Sequence, residues 1–242
     1  MSASVRVPGL EVGRVKALWR YPVKSMGAEP VRQVAASWHG LAGDRRWAFV
    51  REDRGRSGFP WLTIRERADM SQYLPSFVDP DQPDSSPVLV RTPSGADFDV
   101  VDPELAADLG GGVSAIKCDR GVFDTMPLSL LTTQTLASLG ALVHTPLAVQ
   151  RFRPNLLIEA VGDASFPEDE WVGAVLQIGG ARIRADGRDK RCVVVNIDPV
   201  TTTQNPTVLR AIAQSRQARL GIYGSTVAPG IVAVGDPVII SA

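Results

Sequence analysis

The chain is poor in the residues that carry the commonest catalytic and structural chemistry. Its 242 residues include two cysteines and two histidines, and 26 acidic residues balance 26 basic ones. Two cysteines are too few for a disulfide framework or for the usual zinc spacings, and two distant histidines argue against a histidine-based triad or metal site. Balanced charge gives no global field that would hold nucleic acid or an anionic membrane. We therefore expect neither kind of partner.

Several familiar motifs and targeting segments are also missing. The sequence has no glycine-lysine phosphate loop, no dinucleotide-binding glycine pattern and no Gly-x-Ser-x-Gly elbow. Residues 1–8 lack the apolar core of a signal peptide, and no apolar stretch approaches the roughly 18 residues of a membrane span. These absences predict a cytoplasmic protein with two free thiols.

The hydrophobic pattern is mostly that of β-strands. Alternating or β-branched runs predict strands at residues 14–20, 46–51, 88–91, 98–101, 149–152, 155–159, 175–178, 181–184, 221–224, 230–234 and 237–240. The Gly179-Gly180 pair between two of these runs predicts a hairpin. A proline- and aspartate-rich stretch at 78–87 predicts a surface loop.

Helical periodicity is confined to short pieces at residues 103–109, 133–139 and 207–220, and the apolar stripe of the last piece includes Leu220. The fold class predicted is therefore mainly β with a few short helices (α+β), arranged as two β-barrel-like domains. A change of pattern near residues 115–125 predicts a division into residues 1–118 and 119–242.

The segment around Cys192 carries the strongest local chemical signal. Five of the ten residues before it are basic, and Val193-Val194-Val195 follows it. Neighbouring cations favour the thiolate, which is both the nucleophile and the ligand of soft metals. Taken alone, however, Cys192 also fits a small buried residue at the start of a strand. Arg182 and Arg184 alternate with apolar residues and fit the solvated face of a strand.

Six short motifs, taken in order, resemble the MOSC family. They are Tyr21-Pro22-Val23-Lys24-Ser25, Gly40-Leu41-Ala42-Gly43-Asp44-Arg45-Arg46-Trp47, Leu62-Thr63-Ile64-Arg65-Glu66, Arg151-Phe152-Arg153-Pro154-Asn155, Trp171-Val172-Gly173, and Arg191-Cys192 with Asp198-Pro199. The family is named after the C-terminal domain of molybdenum cofactor sulfurase and includes the mitochondrial amidoxime-reducing component and bacterial relatives. The resemblance spans nearly the whole chain.

The resemblance implies an N-terminal MOSC β-barrel domain followed by a MOSC domain, the second a β-barrel. It implies molybdenum cofactor (molybdopterin-bound molybdenum) with the Cys192 thiolate as the protein ligand of the metal. The implied activity is reduction of N-hydroxylated or N-oxide compounds with electrons from a separate donor protein of flavin, iron–sulfur or haem type. A separate donor is expected because no cysteine follows Cys192.

The residues make chemical sense of that implication. A thiolate suits molybdenum better than a carboxylate does, and a pterin phosphate needs guanidinium forks, an ammonium and small donors. By analogy Lys24, Ser25 and Arg45 hold the phosphate, and Arg153, Asn155 and Arg191 line the pterin and the metal. The same set includes Arg65 and, as catalytic residue and metal ligand, Cys192.

Other interpretations remain open at this stage. A carrier that transfers the cofactor, or sulfur as a Cys192 persulfide, would use the same cysteine without reduction. A scaffold that has lost the cofactor and binds another small anion is a third. Residues 185–190, with acids at Asp186 and Asp189, depart from the pattern of many relatives and alter the charge near the thiol. Asp44-Arg45 also fits a simple ion pair in a turn.

Overall fold

The computed structural model describes residues 9–52 and 60–240, in which strands predominate. Residues 1–8, which lack the apolar core of a signal peptide, lie outside the described residues. The strands are β1 (Leu10–Arg20), β2 (Glu29–Val31), β3 (Gln33–Ser37), β4 (Gly40–Leu41), β5 (Trp47–Arg51), β6 (Leu74–Phe77), β7 (Val88–Arg91), β8 (Asp97–Asp99), β9 (Val113–Lys117), β10 (Leu128–Thr132), β11 (Leu156–Ala160), β12 (Val175–Ile178), β13 (Ala181–Lys190), β14 (Arg219–Ala228), β15 (Gly230–Ala233) and β16 (Pro237–Ile240).

The helices of the described residues are short. They are α1 (Pro103–Asp108), α2 (Thr133–Leu142) and α3 (Pro206–Arg216), with single 3-10 turns at Ala68–Gln72, Val149–Phe152, Pro167–Trp171 and Val193–Asn196. Each α-helix begins at a side-chain cap, and the caps are Asp102, Thr132 and Asn205. No helix among the described residues is long and apolar enough to cross a membrane.

Seven strands form a closed barrel in the order β11-β10-β14-β13-β12-β16-β1, and pairing of β1 with β11 closes it. The strand β2 pairs with β1 beside the barrel. Neighbours are antiparallel except β10 and β11, which are parallel. Side chains that alternate inward, such as Val15, Leu130, Ile158, Ile183 and Ile222, fill the barrel core.

Three smaller sheets accompany the barrel, in the orders β15-β3-β4, β5-β9 and β6-β7-β8. The last two share an apolar cluster that includes Phe49, Met70, Phe77 and Leu105. The predicted mainly β fold is thereby confirmed. The strand β1 comes from the first half of the chain yet pairs with β11 and β16 of the second, so the two halves share the barrel. The division into residues 1–118 and 119–242 stays a prediction.

Three local predictions were wrong. Residues 149–152 form a 3-10 turn and not a strand, and the turn ends at Arg153 in the left-handed region. The last helix ends at Arg216, because Gln217 and Ala218 have φ of 57° and 58°, and Leu220 belongs to β14. Cys192 does not start a strand, since a 3-10 turn follows it.

The helices α2 and α3 pack on the outside of the barrel through a third apolar cluster, which includes Leu139, Val208 and Ile212.

Candidate functional site

All eight residues predicted for the site line one cavity of about 200 Å³. They are Lys24, Ser25, Arg45, Arg65, Arg153, Asn155, Arg191 and Cys192. Four come from each half of the chain, and the motifs that carry them are far apart in sequence. The fold brings them together because β1, which leads into Lys24, pairs with the strand that follows Arg153.

Cys192 lies at this cavity with its side chain exposed, between the end of β13 and the turn Val193–Asn196. Its Sγ accepts a hydrogen bond from Arg65 Nη2 at 3.5 Å. The basic run before it is less important than the sequence indicates. Arg184 pairs with Asp186 on an exposed strand face, as expected of that strand, and Arg188 is directed to Asp169. Among the described residues, Arg65 is the cation with a recorded contact to the thiol, and Lys190 and Arg191 line the same cavity.

Lys24 is buried and faces an acid that the sequence did not single out. Its Nζ lies 2.5 Å from Asp124 Oδ1 and donates to the Val122 carbonyl at 3.1 Å. Burial lowers the pKa of Lys24, and the ion pair with Asp124 opposes that shift. Asp124 also accepts from Arg65 Nη2 at 2.8 Å. One carboxylate thus bridges the ammonium and the guanidinium.

Arg45 and Arg153 both pack against the ring of Tyr21, with their Cζ atoms 4.7 Å and 4.3 Å from its centroid. Tyr21 is fully buried, and its hydroxyl donates to the Pro154 carbonyl at 3.1 Å. The electron-rich ring face favours the two guanidinium groups, whose charges repel each other. Arg45 Nη2 also donates to the Arg153 carbonyl at 3.3 Å. The aromatic ring thus holds two like charges beside the cavity.

The pKa values of Arg153 and Arg45 are shifted in opposite directions. Burial lowers the pKa of Arg153 to about 10, and the charge of Arg45 adds to that effect. Burial also opposes ionisation of Arg45, but Asp44, Tyr21 and Asp124 together outweigh it and the pKa of Arg45 lies above its usual value. Asp44 is fully buried, pairs with Arg45 and accepts the Tyr21 N–H at 2.7 Å. The Asp44–Arg45 pair is therefore an ion pair in a turn, as considered above, but a buried one.

Three cavity residues have left-handed backbones although none is glycine. Ser25, Arg45 and Arg153 have φ of 69°, 50° and 50°. Such backbones cost of order 1 kcal/mol or more and concentrate at functional sites. No sequence pattern signals this property, because serine and arginine rarely adopt it. The surrounding structure imposes it at three of the residues that line the cavity.

The guanidinium of Arg191 contacts three oxygens. It donates to the carbonyls of Leu220 and Phe152, each at 2.8 Å, and pairs with Asp189 at 2.8 Å. Gly221, with φ of 70°, leaves space for the Arg191 guanidinium, since a Cβ there would lie 3.2 Å from Arg191 Nη2.

Two guanidinium nitrogens at the cavity are buried and have no hydrogen-bond partner among the described residues. They are Nη2 of Arg191 and Nη2 of Arg153.

Asn155 lines the cavity, but its side-chain amide forms hydrogen bonds to the backbone of the barrel strands. Its Oδ1 accepts the Ser129 N–H at 3.1 Å, and its Nδ2 donates to the Trp19 carbonyl at 3.2 Å. It therefore ties β10 to β1, and its part in binding a cofactor stays a prediction.

Sequence reasoning missed several cavity residues, chiefly Asp124, Asp189 and Tyr223. Asp189 is buried, accepts from Ser129 Oγ at 3.2 Å and has its pKa raised by burial. Burial, with Asp189 alongside, raises the pKa of Tyr223 to about 12. The sequence shows Asp189 as a departure from the pattern of many relatives but does not predict it as a site residue. Nothing local in the sequence distinguishes the other two.

The residues present fit a ligand that is anionic at one end and carries soft metal ligands at the other. The unpartnered Nη2 atoms of Arg153 and Arg191 are suited to phosphate or pterin acceptors, because buried donors gain most from a charged partner. The exposed thiol supplies one soft ligand. No cluster of three or more His, Cys, Asp or Glu side chains within residues 9–52 and 60–240 could hold a metal ion. A metal at Cys192 would therefore take its other ligands from a cofactor.

Two family models match the chain. The MOSC domain model matches residues 119–239, and the model of the MOSC N-terminal beta barrel domain matches residues 12–103.

Relatives match over most of the chain at low identity. Mitochondrial amidoxime-reducing component 1 of Xenopus laevis is 26% identical over 94% of this chain and 82% of that protein. Mitochondrial amidoxime reducing component 2 of Homo sapiens is 25% identical over 94% and 83%. Molybdenum cofactor sulfurase of Danio rerio is 35% identical over 33% of this chain and 9% of that protein. The crystal structure of the YUAD protein from Bacillus subtilis matches with a TM-score of 0.54 over 96% of this chain and 97% of that chain, at 12% identity, which shows a shared fold.

Proposed function

This chain belongs to the MOSC family, and from that membership we propose that it binds molybdenum cofactor and reduces N-hydroxylated or N-oxide compounds. The observation that best supports this proposal is the convergence of eight residues, chosen from motifs in both halves, on one cavity. The names of the relatives that match over most of the chain point to the same substrate class.

The cavity residues divide into two groups in this proposal. Lys24, Ser25 and Arg45 would hold the phosphate, since they provide an ammonium, a hydroxyl and a guanidinium around one position. Arg153 and Arg191 would use their unpartnered Nη2 atoms on the pterin, with Asn155 beside them. Cys192 would be the protein ligand of molybdenum.

Reduction of an N-hydroxyl group breaks the N–O bond, consumes two electrons and two protons, and releases the oxygen as water. When bound, the cofactor supplies the oxygen-atom chemistry and relays the electrons. The chain itself contributes orientation and charge. Arg65 donates to Cys192 Sγ and is exposed, so its guanidinium is available to stabilise negative charge on the departing oxygen.

The electrons would come from a separate donor protein of flavin, iron–sulfur or haem type. Cytoplasmic location belongs to the same proposal. The donor rests on the family resemblance. The location rests on the sequence alone, since the relatives that match over most of the chain are named mitochondrial.

One observation keeps a second function in view. The Cys192 side chain is exposed, so another protein could reach the thiol, as a carrier of cofactor or of persulfide sulfur requires. The match to molybdenum cofactor sulfurase, over a third of the chain, favours the same candidate.

Metal and pterin analysis of freshly purified protein, followed by turnover with benzamidoxime and a reduced viologen, tests the proposal. We expect stoichiometric molybdenum and pterin, together with amidine formation. Cofactor without turnover of amidoxime, hydroxylamine or N-oxide substrates would favour the carrier. If protein produced in a cofactor-synthesising host holds neither molybdenum nor pterin, the remaining interpretation is a scaffold that binds another small anion.

A further inference from the structure

An acidic side chain lies between Lys24, which is proposed to hold the phosphate, and Arg65, which contacts the thiol. Asp124 places Oδ1 2.5 Å from Lys24 Nζ and Oδ2 2.8 Å from Arg65 Nη2. Each oxygen of one carboxylate thus serves a different cation. A phosphate monoester also presents adjacent anionic oxygens, which is the arrangement that ammonium and guanidinium groups bind.

The charge of Asp124 is secure. Partial burial would raise its pKa, but the hydrogen bonds from Lys24 and Arg65 and the charges of both together outweigh burial and lower the pKa to about 2. The cations Arg45 and Arg153 also interact with it electrostatically. Asp124 is therefore a permanent negative charge that compensates a group of at least four cations.

Its place in the fold permits movement. Asp124 lies between β9 and β10, in a segment with neither helix nor strand, and its side chain is 44% exposed. By contrast Asp44, another acid beside these cations, is fully buried and bound to Tyr21 and Arg45. A rotation of the Asp124 side chain into solvent breaks two ion pairs and no strand ladder.

We propose that Asp124 is an internal counter-anion that occupies the phosphate position of the cavity and is displaced when the ligand binds. The inference rests on the proposed function in that Lys24 receives the phosphate. It assigns Asp124 a role opposite to that of its neighbours: they raise the affinity of the cavity for an anion, and Asp124 lowers it. The carboxylate stabilises the ligand-free protein and restricts the site to anions that bind more strongly than an internal carboxylate.

The sign of one substitution tests this role. Asp124→Asn removes the competing charge and leaves a similar shape. Calorimetric titration with inorganic phosphate at neutral pH and low ionic strength should show binding at least fivefold tighter than in the parent protein. Without phosphate the variant should melt at a lower temperature, and phosphate should raise its Tm by more than it raises that of the parent. A residue that helps to bind the ligand would give the reverse change in affinity.

Two controls locate the effect. Asp97→Asn removes an exposed carboxylate paired with Arg91, far from the cavity residues in sequence, and should leave phosphate binding within twofold of the parent. The double variant Asp124→Asn with Lys24→Met should lose the gain, because the ammonium that Asp124 neutralises is gone. Asp124→Ser provides a second substitution in case the asparagine variant fails to fold.

Unchanged or weaker phosphate binding by a folded Asp124 variant would overturn the proposal, as would failure of both variants to fold even with phosphate. The titration contains no molybdenum and measures no turnover. If the Asp124 variant binds phosphate more tightly but the protein has no reductase activity, the proposed reaction is wrong and the role of Asp124 stands. If the protein has reductase activity but the variant does not bind phosphate more tightly, the role of Asp124 is wrong and the proposed reaction stands.

Discussion

Arg65 donates a hydrogen bond to Cys192 Sγ at 3.5 Å across 127 residues of sequence. The cation that contacts the thiol thus comes from the other half of the chain and not from the basic run before Cys192. That contact makes the environment of the thiol depend on the association of the two halves. The sequence around Cys192 identifies a residue of the cavity but does not indicate Arg65, the cation that contacts its thiol.

The two cysteines should differ sharply in reactivity and in function. Cys118 is partly buried and directs Sγ to the Gly121 carbonyl at 3.8 Å, whereas Cys192 is exposed beside Arg65. In cofactor-free protein, iodoacetamide at neutral pH should alkylate Cys192 at least tenfold faster than Cys118, as measured by peptide mass spectrometry. Bound cofactor should protect Cys192.

The matched serine variants extend this test to activity. Cys192→Ser should abolish reduction but keep the pterin, since the proposed anion contacts come from other residues and a serine hydroxyl is a poor ligand for a soft metal. Cys118→Ser should retain activity. Equal alkylation rates together with full activity of Cys192→Ser would remove the molybdenum hypothesis.

Tyr21 should position Arg45 and Arg153 through its ring and not through its hydroxyl. Tyr21→Phe keeps the ring and loses the hydrogen bond to Pro154, so phosphate affinity should stay within twofold while the free energy of unfolding falls by about 1 kcal/mol. Tyr21→Leu removes both cation–π contacts and should weaken phosphate binding at least fivefold. Calorimetry and denaturant unfolding separate the two effects. A folded leucine variant with unchanged affinity would contradict the positioning role.

The elements that local pattern controls were predictable from the sequence. The hairpin at Gly179-Gly180 joins β12 and β13 as expected, and α1 and α2 begin where predicted, because turn glycines and caps act over a few residues. The end of α3 was not predictable. Gln217 and Ala218 adopt left-handed backbones that neither residue type signals, so the apolar stripe misleadingly continued to Leu220.

The site divides in the same way. Motif resemblance indicated eight residues of the cavity, because each motif carries its own basic or thiol group. The sequence did not predict Asp124, Asp189 and Tyr223 as cavity residues, because their importance depends on charged groups that the fold brings close to them from distant segments. A carboxylate becomes a counter-ion of Lys24 only through the fold, and no spacing in the sequence shows that.

The shared barrel predicts how fragments behave. Residues 125–242 lack β1, which pairs with both β11 and β16, so this fragment should expose two strand edges and fail to unfold cooperatively. Neither it nor residues 1–115 should bind phosphate or retain cofactor. Residues 9–242 are the control and should do both. A C-terminal fragment that melts cooperatively and holds cofactor would show that the N-terminal residues serve packing alone.

A pH-dependent contribution to stability should arise from Glu168, away from the cavity. Its carboxylate is fully buried and accepts from Thr132 Oγ1 at 2.7 Å and Thr135 Oγ1 at 2.6 Å, but Oε1 has no partner among the described residues. Burial raises the pKa of Glu168 above its ordinary value of 4.5, and the nearby Asp169 adds to the shift. Above pH 4.5 the folded protein therefore holds this proton more tightly than the unfolded chain does.

It follows that the contribution of Glu168 to the free energy of unfolding is fully present below about pH 4.5 and is lost as the pH rises through the folded pKa. Glu168→Gln removes the titration, so its stability relative to the parent protein should increase from pH 4.5 to pH 8. Denaturant unfolding across that range measures the difference. Glu170→Gln, at an exposed position two residues away, should show no such trend. A parallel pH profile for parent and Glu168→Gln would mean that Glu168 keeps an ordinary pKa despite its burial.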